Sequence, residues 1–250
     1  MTDLALLSVS DGVATLTLNR PEARNALSIE LLGALRARVG ELAQRGDVRA
    51  CVVAGAGPAF CAGMDLKAVL DVPGAPAKLL SEIAELTLEL RALPCATIAL
   101  VRGAAIGGGC GLACVCDFAI THPEAKLGYP EVDLGVCPAV VAPWLIKKIG
   151  PGAARRVLLE GGVMSGDRAH ELGLVTRVVP QDELDSATHE LAQRLAKAGP
   201  RALRATKMWL NELDGSTDRA LVVRGAAISA EVISTEEARD ALRKKFQRRS

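Results

Sequence analysis

Aromatic side chains are scarce in this chain: two Trp, one Tyr and three Phe among 250 residues. Few platforms therefore exist on which nucleobases could stack, and the core must be built from Leu, Val, Ile and Ala. An excess of charge of either sign is missing too. With 30 Lys and Arg against 29 Asp and Glu, the net charge is +1, which gives neither nucleic acid nor a membrane surface an electrostatic handle. No apolar run reaches the roughly 18–20 residues that span a bilayer. The start, MTDLALLSVSDG, is short, alternating and without a basic segment, unlike a secretory signal. Neither GxGxxG after the first strand nor a GxxxxGK[ST] stretch is present, so a nucleotide-binding loop is not expected. The seven cysteines are an odd number in mostly apolar surroundings, which fits buried free thiols in the cytoplasm. Cys110, Cys114 and Cys116 lack the paired CxxC spacing and a nearby histidine, so no metal is expected.

What is present is a globular chain. Half of its residues are hydrophobic and 24% are charged, and the length suits either one α/β domain or a domain with an appendage. LALLSVS-DG-VATLTLNR reads as a β-hairpin turning at Asp11 and Gly12. Ser28 can cap a helix whose Leu31, Leu32, Leu35, Val39 and Leu42 recur at helical spacing. RACVVAGAG and CATIALV read as buried strands, with an amphipathic helix over residues 79–93 between them. The pattern predicts a helix over residues 108–116 and a strand at Phe118–Thr121. Two short helices at residues 141–149 and 153–160 should come next, then a turn capped by Ser165 and a strand over residues 174–179. From Gln181 the chain reads helical, broken at AGP and LDGST. Strand-rich units, each followed by a helix, come first and a helical third comes last: the fold class is α/β.

One stretch needs a special reason. IGGGCGLACVCD, residues 106–117, sets three glycines and then Gly111 where a helix should begin, although glycine inside a helix costs about 0.8–1 kcal/mol relative to alanine. Such a tract serves either close packing or a backbone that must approach something. Alone it is weak evidence. It occurs, however, after NRPEARNALS (residues 19–28) and AGAGPAFCAGMDLK (residues 54–67), and before LGYPEVDLGVCP (residues 127–138).

In that order and at those separations, these segments resemble the crotonase superfamily, the enoyl-CoA hydratase/isomerase family. The resemblance covers most of residues 19–173. It implies a crotonase-like spiral of ββα units with a C-terminal helical region: a core over residues 1–195 carrying an acyl-CoA site, and an oligomerising region over residues 196–250. It implies acyl-CoA thioesters as substrates and a homotrimer or dimer of trimers as the assembly. No cofactor is implied beyond the coenzyme A of the substrate. The shared step is an enolate held by two backbone N–H groups, which by motif position are those of Met64 and Gly108. Such donors must be fixed about 2.7–3.1 Å from the developing oxyanion, and a helix start supplies free amides and a favourable dipole.

Glu131 of the Pro-Glu pair matches the family's acid/base. Hydratases of the family commonly carry a second glutamate where this chain has Gly111. Dienoyl-CoA isomerases place acids at positions matching Gly111 and Ala139, neither of which ionises. One carboxylate can still carry a proton from one carbon to another, so double-bond isomerisation or hydration of enoyl-CoA is expected. Gly111→Glu is expected to raise hydration. Asp133, read as a strand neighbour of Glu131, is a further candidate acid. Leu127, Tyr129, Val136 and Trp144 offer Glu131 apolar surroundings that would raise its pKa. The resemblance also implies that Arg24, Ala62, Asp65, Leu66 and Lys67, with Met64 and Gly108, line the thioester and coenzyme A. Lys244, Lys245, Arg248 and Arg249 on the tail are candidates for its nucleotide. Alternatives on the same scaffold are an acyl-CoA decarboxylase, a thioester hydrolase or a non-catalytic acyl-CoA binder. A nucleophilic Cys61 or Cys137 would need a base that the motif does not supply.

Overall fold

The computed structural model describes residues 3–247, so Arg248 and Arg249 lie outside the described residues. β1 (Ala5–Ser10) and β2 (Val13–Leu18) form the expected hairpin. Asp11 and Gly12 have φ of 51° and 77°, the left-handed pair that a two-residue turn demands. α1 (Ile29–Ala43) starts at Ser28, whose Oγ accepts from the Leu31 amide at 3.2 Å. β3 (Ala50–Gly55), the short α2 (Leu66–Val69) and α3 (Ala75–Arg91) come after it. α3 begins before its periodic residues because Pro76 sits in its first turn, where the missing N–H costs no helical bond.

Next come β4 (Ala96–Leu100), β5 (Ala104–Ile106), α4 (Gly108–Val115), β6 (Phe118–Thr121) and β7 (Lys126–Gly128). α5 (Ala142–Glu160) contains the two expected helices, joined at a kink where Gly150 has φ 79° and ψ 160° ahead of Pro151. β8 (Val163–Ser165), α6 (Gly166–Glu171) and β9 (Arg177–Val178) complete the strand-bearing part. β9 keeps only two residues of the longer strand that the sequence predicts. Ser165 caps α6 as expected, accepting from the Arg168 amide. The rest is α7 (Leu184–Ala196), α8 (Pro200–Leu213), α9 (Arg219–Ile233) and α10 (Glu236–Gln247).

The strands form two sheets. One has the order β1-β2-β3-β4-β6-β9 and is parallel apart from the β1–β2 hairpin. The other has the order β5-β7-β8, with β5 and β7 parallel. Each turn of the chain visits the large sheet, then the small one, then a helix: β4, β5, α4, and again β6, β7, α5. The turn before them does the same in reduced form, as β3 is followed by Cys61 in a parallel bridge to Ala105 and then by α2 and α3. This is the ββα spiral.

The large sheet is covered on both faces. The predicted stripe of α1 is buried on one side. Leu184, Leu191 and Ala192 of α7 pack on Ala50, Val52, Ile98, Leu100 and Ile120 on the other. That is why β4 reads ATIAL with every residue buried, as expected of a parallel strand hidden on both faces. Fully burying one such Leu or Ile is worth about 1.5–3 kcal/mol. All seven cysteines are free thiols and six of them are buried. Among the described residues, no helix is long and apolar enough to cross a membrane.

Candidate active site

The small sheet assembles the site. β5 and β7 run parallel with Ile106 opposite Gly128, so the residues after each strand emerge at the same edge. Gly107 and Gly108 come directly after β5; Tyr129, Pro130 and Glu131 come directly after β7. The Gly107 amide donates to Gly128 O at 2.8 Å and ties the two exits together. On the other flank of β5, the Cys61 amide donates to Ala104 O at 2.9 Å and Cys61 O accepts from Ile106 N at 3.0 Å. Residues 61–64, 104–108 and 126–131 therefore lie side by side, although far apart in the chain.

Two amides at this edge are unspent. Met64 is bridged to Leu27, with Leu27 N donating to Gly63 O at 2.8 Å and Asp65 N donating to Leu27 O at 3.0 Å. In a parallel bridge the flanking residues make those bonds, so the Met64 N–H points away from Leu27. Gly108 is the first residue of α4, where no intrahelical acceptor is available. Among the described residues, neither amide donates to a loop or turn carbonyl. The two are neighbours: a Cβ on Gly63 would lie 2.8 Å from Ile106 O and 3.9 Å from Gly108 N.

The carboxylate is at the same place. A Cβ on Gly107, which has φ 54°, would lie 2.6 Å from Glu131 Oε1. Glu131 is only 6% exposed, and its Oε2 is buried with no hydrogen-bond partner among the described residues. Burial pushes its pKa up from 4.5 to about 7, because the charged form has lost its water. Leu127, Tyr129, Val136 and Trp144 are all buried in the same core. Tyr129 Oη lies 3.3 Å from Cys114 Sγ, and burial raises the Tyr129 hydroxyl well above its ordinary value. Burial pushes the Cys61 thiol up to about 12, and its Sγ donates to Asn25 O at 3.1 Å. Cys61 packs and does not ionise.

The four glycines of the tract have different reasons. Gly107 carries the positive φ and the contact with Glu131. Gly108 faces Leu27 Cδ1, which a Cβ would meet at 3.2 Å. Gly109 is there for packing, since its Cβ would lie 2.5 Å from Cys61 O. Gly111 is also a packing glycine: its Cβ would lie 2.4 Å from Val141 Cγ1.

Asp133 is a correction. Residues Val132–Leu134 form a 3-10 turn rather than a strand, so strand alternation does not apply. Asp133 is exposed and its Oδ2 accepts from the Gly162 amide at 2.9 Å. The proposed lining residues are placed unequally. Arg24 is exposed, and its carbonyl accepts from the Ala62 amide at 3.0 Å. Ala62, Met64, Asp65 and Leu66 are half-buried, and Asp65 is paired to Arg20 at 2.6 Å. Exposed Lys67 has its Nζ 5.4 Å from the centre of the Phe246 ring. A cleft of about 310 Å³ opens there, lined by Lys67, Leu70, Asp71, Arg243, Phe246 and Gln247. Arg243, paired to Asp71 at 2.7 Å, is the tail cation at this cleft, ahead of the predicted Lys244 and Lys245.

The enoyl-CoA hydratase/isomerase family model matches residues 8–247. The chain belongs to that family. A Thermus thermophilus relative is 36% identical over 241 residues, 95% of each chain. The short-chain-enoyl-CoA hydratase of Clostridium acetobutylicum is 32% identical over 243 residues, covering 95% of this chain and 92% of that one. Among solved structures, an enoyl-CoA hydratase/isomerase from Xanthobacter autotrophicus Py2 superposes with a TM-score of 0.87 at 30% identity, covering 100% of this chain and 98% of that one. This family member therefore has the crotonase fold, with its C-terminal helices.

Two positioning residues escape sequence reasoning. Asn25 is fully buried at φ 56°. Its Oδ1 accepts from Arg20 N at 2.9 Å and its Nδ2 donates to Ala56 O and Ala59 O at 2.9 and 2.8 Å. It thereby fastens the first motif to the loop that carries Met64. Asparagine's tolerance of the left-handed region was the available signal. Val141 is the other, and nothing in its local sequence marks it.

Proposed function

We propose that this enzyme binds an enoyl-CoA thioester with its carbonyl oxygen on the Met64 and Gly108 amides and moves a proton with Glu131. The observation that carries the reading is the buried Glu131 carboxylate against Gly107, one residue from an unspent helix-start amide. As charge develops on the thioester oxygen, two fixed donors stabilise it without reorganisation; one such donor is typically worth about 2.7–4 kcal/mol. A carboxyl poised near pH 7 both accepts and returns a proton at little cost. Isomerisation or hydration of the enoyl group is the outcome. The relatives' names support the substrate class, and the step needs no separate cofactor.

Arg24, Ala62, Asp65, Leu66 and Lys67 would line the thioester and pantetheine, with the cleft beside Lys67 toward the nucleotide. We place the protein in the cytoplasm as a homotrimer or dimer of trimers, assembled through the region beyond residue 195. Support comes from α8, which turns Lys207 and Asn211 inward and leaves Trp209, Leu210 and Leu213 more than half exposed. The test is Glu131→Gln with a panel of acyl-CoA thioesters in heavy water, read by NMR. Deuterium entry at the carbon next to the thioester should vanish while acyl-CoA binding persists. Exchange undiminished in the variant would reject Glu131 as the acid/base; release of carbon dioxide or free thiol would point to the decarboxylase or hydrolase.

A further inference from the structure

Resting on that reading of Glu131, we propose that Val141 determines the reaction by filling the place from which a second acid would face Glu131, so that this enzyme isomerises enoyl-CoA in preference to hydrating it. Gly111 lies one helical turn from Gly107, its amide donating to Gly107 O at 2.9 Å. Gly107 itself precedes the helix at φ 54° and ψ −118°, so the spacing is set by the backbone: one turn rises about 5.4 Å, which brings position 111 within a side chain's length of the carboxylate packed on Gly107. That space is taken, because the Cβ of any residue there would lie 2.4 Å from Val141 Cγ1 and 3.0 Å from Val141 Cβ.

The backbone around Val141 is held on both sides. It is 1% exposed and stands at the start of α5, where Leu145 N and Trp144 N both donate to its carbonyl at 3.2 Å. The segment leading to it is clamped by α9: Ser229 Oγ donates to Cys137 O at 2.8 Å and accepts from Val140 N at 3.2 Å. Gly225 lies so close that a Cβ there would be 2.4 Å from Ala139 O. The C-terminal region thus holds an apolar methyl group at position 111, one turn from the backbone on which Glu131 packs. The Cys110 thiol and the Cys114–Tyr129 pair belong to the same helix end, and burial holds Cys110 and Tyr129 in their neutral forms.

The chemistry divides accordingly. In isomerisation of a 3-enoyl thioester, the carboxylate takes a proton from C2 and the C–H electrons form a dienolate whose charge rests on the thioester oxygen. The same carboxyl then protonates C4, and the double bond moves to C2–C3; nothing is added and one acid suffices. Hydration of a 2-enoyl thioester adds hydroxide at C3 and a proton at C2, so a water must be held and deprotonated beside Glu131. A valine methyl neither donates to nor accepts from that water.

The experiment measures product partition. Wild-type protein is given 3-enoyl-CoA and crotonyl-CoA separately, and isomerised and 3-hydroxy products are quantified. Isomerisation should exceed hydration at least tenfold. Gly111→Glu alone should give no gain in hydration because it meets Val141, whereas Gly111→Glu with Val141→Ala should raise the hydration-to-isomerisation ratio at least tenfold over Val141→Ala alone. Hydration equal to or faster than isomerisation in the wild type overturns the proposal, and that measurement needs no variant to fold. A folded double variant with an unchanged ratio overturns it too. Glu131-dependent exchange together with dominant hydration would sink only the role of Val141, whereas absence of turnover and exchange with every thioester would sink the reading of the site itself.

Discussion

Removing the negative charge of residue 131 should make the protein more stable and, at the same time, inactive. Glu131 is buried with an unpartnered oxygen, and its pKa rises from 4.5 to about 7. Below pH 4.5 the carboxyl is protonated both folded and unfolded, so it contributes no difference. Between 4.5 and 7 the unfolded chain releases the proton and the folded chain keeps it, so stability falls as pH rises. Above 7 the full penalty is present. Each tenfold change in proton affinity is about 1.4 kcal/mol, which gives a penalty of about 3 kcal/mol at pH 8. Gln has nearly the same shape, inherits the same surroundings and carries no charge. Glu131→Gln should therefore unfold about 6–12 °C higher than wild type at pH 8, with the difference vanishing toward pH 4.5. Thermal unfolding at the two pH values, monitored by circular dichroism, is the assay. An equal shift at both, or a less stable variant at pH 8, would refute the assignment of a desolvated carboxylate.

The same geometry fixes four further outcomes. In wild type, kcat/KM for proton abstraction should fall about tenfold per pH unit below 7, as the base form is lost; a profile flat down to pH 5 would exclude Glu131 as the base. Gly107→Ala combines φ 54° with a Cβ 2.6 Å from Glu131 Oε1, and an approximately 1 Å displacement of a catalytic group can cost about 100-fold in rate, so kcat should drop on that scale. Asn25→Ala leaves Arg20 N, Ala56 O and Ala59 O without their side-chain partner, which should lower stability in urea by at least about 3 kcal/mol. Asp133→Asn keeps an acceptor for Gly162 N and should change turnover less than threefold.

Much of this was legible in the sequence because the large elements obey strong rules. The Asp11-Gly12 turn, the Ser28 cap and the apolar stripe of α1 are each local, and each falls where its chemistry puts it. β5, β7 and β8 are not legible, since three residues carry no alternation to read, yet they bring Gly107, Glu131 and the Met64 loop together. Asp133 shows the complementary failure: its neighbourhood suggests a strand, but the chain turns after Pro130 and a period of two no longer holds. Gly111 shows a subtler one. Its sequence position shows that a second acid is missing, but only the approach of Val141, 30 residues on and clamped by α9, shows that its space is filled. Restoring the glutamate alone, as the sequence suggests, therefore meets a packed methyl group.

The most direct test of the two-amide site is a structure of the Glu131→Gln variant bound to an enoyl-CoA. The thioester oxygen should lie about 2.7–3.1 Å from both the Met64 and Gly108 amides, with the residue 131 side chain against the adjacent carbon. A thioester carbonyl turned toward solvent, or held by only one of those amides with residue 131 remote from the reacting carbons, would contradict it.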